Sequence, residues 1–69
     1  MKHLYDIKNF WNNGEITTQY MNATSSRELE PFCKLYWKQM FLLHPDKAKH
    51  GRIEISRHTT GEVIKEIFI

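Results

Sequence analysis

The chain reads as a small α+β domain, ββαββ, with antiparallel hairpins packed on one central helix. Three observations predict this class. Asn12-Asn13-Gly14 separates two strand-forming segments, nine of the thirteen residues of Pro31–Leu43 (PFCKLYWKQMFLL) are apolar, and Arg52-Ile53-Glu54-Ile55-Ser56 alternates with period two. Sixty-nine residues make one domain, 1–69, whose core is necessarily small.

The first hairpin follows from Asn13-Gly14, the strongest short-range signal for a type I′ turn, in which both central residues take positive φ. A two-residue loop there sets Trp11 opposite Ile16, Asn9 opposite Thr18 and Ile7 opposite Tyr20. One face then carries Tyr5, Ile7, Trp11, Ile16 and Tyr20. The competing reading is a helix over residues 3–12, with Leu4, Ile7 and Trp11 on one side and Gly14 ending it.

Ser25-Ser26-Arg27-Glu28 has the S-x-x-E form of a capping box. Pro31 lies just beyond it, so the helix either starts near Ser26 with an early kink or restarts with Pro31 as its first residue. Pro45 disfavours helical geometry at His44, which ends the helix near Leu43. On a helical wheel Phe32, Cys33, Tyr36, Trp37, Met40, Phe41 and Leu43 cover about half the circumference. Lys34, Lys38 and Gln39 mark the polar side, and Leu35 and Leu42 fall there too. His44–Gly51 is a polar, basic loop. After the strand at 52–56, Thr59-Thr60-Gly61 supplies a turn into 62–69, read as a strand for its β-branched content, with a helix as the alternative.

Composition bounds the function classes. The chain is 41% hydrophobic and 26% charged, ordinary for a folded domain, and no run approaches the ~18 apolar residues of a membrane span. Met1–Phe10 lacks the apolar core of a signal peptide, and the single cysteine, Cys33, cannot close an intramolecular disulfide. A cytoplasmic setting without membrane contact is expected. Abundant Lys, Asn, Ile and Phe suggest an AT-rich coding source, such as a virus or mobile element.

No nucleophile elbow, Gly-rich phosphate cradle or paired metal-ligand spacing occurs, so neither catalytic residues, metal ligands nor cofactors are expected. The chain reads as a non-enzymatic, protein-binding modulator, an inhibitor or adaptor of a larger macromolecule. Its expected contact residues are Leu35, Leu42, Lys38 and Trp37, with a homodimer as one form of partner. The alternative is a nucleic-acid-binding regulator. Residues 34–58 carry six Lys and Arg against two acids, and Lys47, Lys49, Arg52 and Arg57 would contact phosphates.

His44-Pro45-Asp46, together with Tyr36 and Lys38 upstream, resembles the His-Pro-Asp loop of J-domain co-chaperones. The resemblance covers about a dozen residues and implies a loop that stimulates a heat-shock chaperone ATPase. It departs from that family at Gln39 and Met40, and in the strand-like GRIEISR where the family places a long helix.

Overall fold

Asn12, Asn13 and Gly14 reverse the chain between β1 (His3–Trp11) and β2 (Ile16–Ala23), the first two strands of a computed structural model that describes residues 1–69. A short 3-10 turn, Ser26–Glu28, leads into α1 (Leu29–Leu43), and α2 (Pro45–Ala48) comes directly after it. The chain returns through β3 (Gly51–Arg57) and ends in β4 (Val63–Phe68). All neighbours in the sheet are antiparallel, in the order β2-β1-β3-β4. The expected ββαββ arrangement is therefore present, and both terminal elements are strands rather than helices.

The hairpin turn differs from the type I′ form. Gly14 alone takes positive φ, at 87°, while Asn12 and Asn13 keep negative values. The Gly14 N–H donates to Trp11 O and the Trp11 N–H to Glu15 O, so the loop is longer than two residues. Asn13 holds it by accepting the Glu15 N–H at 3.0 Å. The register shifts by one: Phe10 faces Ile16, Asn9 faces Thr17 and Ile7 faces Gln19. A one-residue slip turns every side chain of a strand to the other face. Tyr5, Ile7 and Trp11 are buried as expected, but Ile16 and Tyr20 lie exposed on the opposite face.

The helix start falls between the two expected positions. Ser25 makes no side-chain cap; instead the Glu28 carboxylate accepts the Thr24 N–H at 3.0 Å and the Thr24 hydroxyl. Those bonds hold the Glu28 carboxyl below the usual carboxylate range. Pro31 is the third residue of α1, inside the first turn, where backbone N–H groups have no helical partner. Its missing donor therefore costs nothing and the helix needs no kink. His44 ends α1 as anticipated, leaving helical geometry at φ −139°. The 44–51 segment is not all loop. Pro45 opens the short helix α2, and Lys47 and Ala48 both donate to His44 O.

The core lies between α1 and the sheet face carrying the odd-numbered residues of β1 and β3. Tyr5, Ile7, Trp11, Ile53, Ile55 and Ile67 meet Leu29, Cys33 and Trp37 there, with Tyr36 and Met40 partly buried around them. The buried stripe of α1 is narrower than the expected half circumference, because one helix on one sheet is covered only along its underside. Phe32, Phe41 and Leu43 are consequently exposed, while Leu29, absent from the predicted stripe, is buried. Asn9, also fully buried, accepts the Trp37 indole N–H at 3.0 Å and reaches Thr17 and Gln19 with its amide. Trp11 donates to Thr17 at 2.9 Å, so no buried side-chain polar atom lacks a partner.

Candidate protein-binding surface

Two leucines stand on the outward side of α1, two turns apart, because a seven-residue spacing nearly repeats the helical azimuth. Leu35 is 55% exposed and Leu42 75% exposed, with Lys38 exposed between them. Leu43 and Phe32 extend the apolar surface along one flank of the helix, and Phe32 stacks on Tyr36 at 6.3 Å between ring centroids. A ridge of this kind has no partner within the domain.

Trp37 is not part of that ridge. It is 2% exposed, stacks on Trp11 at 4.2 Å and donates its indole N–H to Asn9. The large aromatic is drawn beneath the helix because burial rewards its area and Asn9 satisfies its one polar atom. Its contribution to the surface is indirect: it anchors the middle of α1, so that Leu35 and Leu42 are presented on a rigid element.

The four basic residues considered for phosphate contact are dispersed. Lys47 pairs with Glu15 at 2.6 Å and sits 4.9 Å over the Trp11 ring, and its hydrogen bond lowers the Glu15 pKa. Arg52 bonds Glu54 at 3.0 Å and lies 4.2 Å over Phe10, on the sheet face away from the helix. Lys49 precedes β3 and Arg57 ends it, at opposite ends of that strand.

A cationic cluster that was not anticipated lies elsewhere. Lys34 and Lys38 on α1 and Lys49 after α2 surround a recess of about 260 Å³ floored by Trp37, Phe41 and Ile69. Its sequence signal was the i, i+4 spacing of Lys34 and Lys38. Only the return of β4 beside the helix adds Ile69 and closes the floor.

The His44-Pro45-Asp46 segment is tied to the first hairpin. Asn12 donates its backbone N–H to Lys47 O at 2.9 Å and its side-chain amide to Asp46 O at 3.0 Å. An open, polar hollow of about 430 Å³ lies between His44, Asp46 and Asn13. Strand β3 is the next element after α2, so the helix that J-domains place after this loop is absent.

Cys33 is buried, and desolvation, helped by the negative charge of Glu30, pushes its thiol up to about 11. That environment suits a small packing residue and disfavours the thiolate. No group of three His, Cys, Asp or Glu side chains comes together in a way that could hold a metal ion, and no helix is long and apolar enough to cross a membrane. No family model, curated protein or solved structure matches the chain.

Proposed function

We propose that this protein is a small, non-enzymatic protein-binding modulator, acting in the cytoplasm as an inhibitor or adaptor of a larger macromolecule through the outer face of α1. The observation that carries this reading is the exposed Leu35–Lys38–Leu42 ridge, projecting away from a core that already holds its helix through Leu29, Cys33 and Trp37. Fully burying a leucine is worth roughly 1.5–3 kcal/mol, so two such side chains on one rigid face can anchor a contact. Phe32 and Leu43 would extend it.

The ridge fits either a second copy or a different protein, and one pair of variants separates them. Leu35→Lys/Leu42→Lys changes only exposed positions, so stability should move by about 0.5 kcal/mol or less per site. Sedimentation of wild type beside this variant reads self-association directly. If both are monomers, affinity capture with the two proteins should return a partner held by wild type and lost with the variant. Identical captured sets from both proteins, with no dimer in either, would remove the ridge as the functional surface.

The nucleic-acid alternative draws on Lys49 and Arg57, the two of its four cations without an acidic partner. Lys47 and Arg52 are engaged with Glu15 and Glu54. The single-sign cluster of Lys34, Lys38 and Lys49 shares only Lys49 with those four cations.

A further inference from the structure

The free edge of β4 runs, at its C-terminal end, into Ile69, which lines a recess shared with three lysines. β4 bonds only to β3 and is the outermost strand of the sheet. The Ile69 N–H donates inward to Gly51 O. In an antiparallel ladder the bonding residues alternate, which turns the backbone groups of Glu66 and Phe68 outward, away from β3. Phe68 is 72% exposed, and Val63, Ile64 and Ile69 are exposed as well. β4 has no proline and no second strand to cover it, and such an edge is a template for another extended segment. On the helix side, Ile69, the residue after β4, lines the recess together with Lys34, Lys38 and Lys49. No carboxylate side chain lines that recess. Glu30, one turn before Lys34, is directed to Lys65 at 3.9 Å.

We infer that β4 accepts an extended acidic–apolar segment of another protein as a fifth strand, seating an apolar side chain in the recess while flanking carboxylates meet Lys34, Lys38 and Lys49. Main-chain bonds to Glu66 and Phe68 supply the docking, and the recess selects the side chain beside Ile69. The three lysines choose the charge of the residues on either side of it.

A second copy of this chain is a poorer occupant. Two-fold antiparallel pairing sets one residue opposite its own counterpart, because the symmetry axis stands perpendicular to the sheet. Centred midway along β4, on Lys65 or Glu66, such pairing opposes like charges, which destabilises a ladder. A centre nearer either end leaves only a few residues paired. This surface shares Lys38 alone with the Leu35–Leu42 ridge, so it stands or falls independently of that ridge.

The test is an NMR titration of the isotopically labelled full chain with the heptapeptide Thr-Glu-Thr-Phe-Thr-Glu-Thr, blocked at both ends, in which Glu, Phe and Glu share one strand face. The comparison peptide carries Lys in place of both Glu. The acidic peptide should bind about tenfold more tightly, shifting the amide signals of Glu66 and Phe68 and slowing their exchange with solvent. Lys34→Glu/Lys49→Glu, at two exposed positions, should reverse the preference. Equal binding of both peptides, no binding of either, or changes confined to the β2 edge would overturn the inference. So would exchange protection at Glu66 and Phe68 that rises with protein concentration without peptide, which would assign the edge to a second copy. The wild-type comparison of peptides decides the matter even if the variant fails to fold.

Discussion

At Gly51, β3 is packed tightly between the backbone of β1 and the Trp37 ring of α1. A Cβ built there would lie 2.2 Å from Phe10 O and 2.5 Å from Cη2 of Trp37, and neither a strand carbonyl nor a stacked indole can retreat. Gly51→Ala should therefore destabilise the fold by about 3 kcal/mol. Gly14→Ala meets nothing within 4 Å and bears only its positive φ of 87°, a cost of about 1 kcal/mol. Urea denaturation of the two variants should show this order, and equal midpoints would remove the close approach of Trp37 as the cause. Cys33 makes a second residue-scale prediction. Its thiol titrates near 9 when unfolded and about 11 when folded. Below pH 9 both states keep the proton, and between 9 and 11 only the unfolded chain releases it, so stability from this group falls as pH rises through that window. Cys33→Ala should lose less stability between pH 8 and pH 10.5 than wild type does; parallel losses would place the thiol in a wetter site.

At the scale of elements, the register of the first hairpin decides which half of β2 faces the core. Thr17 accepts the Trp11 indole N–H, whereas Ile16 points to solvent. Thr17→Val should cost about 1–3 kcal/mol by leaving a part-buried donor unpaired, while Ile16→Thr should stay within about 0.5 kcal/mol. Thermal or urea melts giving the reverse order would restore the two-residue loop. The hairpin itself was legible in Asn12-Asn13-Gly14, but its loop length was not, since Asn-Gly serves a two-residue turn and also a longer one with glycine at the single left-handed position. The helix was legible from its apolar density. Its cap was not, because Thr24, one residue before the Ser25 string, reaches Glu28 only in the folded geometry of the 3-10 turn.

Across the whole molecule, a sheet covered on one side leaves two apolar surfaces unshared. The outer face of α1 shows Leu35 and Leu42, and the bare sheet face shows Ile16, Tyr20 and Phe68. Small domains have too little interior to hide all their apolar residues, so exposure of isolated ones is ordinary. Alignment separates the α1 ridge from that background: its leucines repeat on one rigid helix face. The Lys34, Lys38 and Lys49 cluster differs in a second way, through a single sign of charge over an apolar floor. The exposure of Leu35, Leu42 and Lys38 on the outward side of α1 was readable from spacing alone. Trp37 was misplaced among them, since a wheel assigns azimuth without showing how wide a sector the sheet will cover.

Local chemistry carries most of the element types: Pro45 turns His44 out of α1, alternation at Arg52–Ser56 marks a strand, and β-branched residues favour another over 63–68. These preferences act over a few residues and need no distant partner. They leave a helix open at 3–12 and 62–69, however, and do not show α2. The strand order β2-β1-β3-β4, the one-residue shift that exposes Ile16 and Tyr20, and the burial of Asn9 under Trp37 arose from contacts between residues far apart in the chain. So did the recess, which joins Lys34 to Lys49 and Ile69. Several registers and covered arcs are compatible with the same local pattern, and packing chooses among them by matching volumes and satisfying buried polar groups.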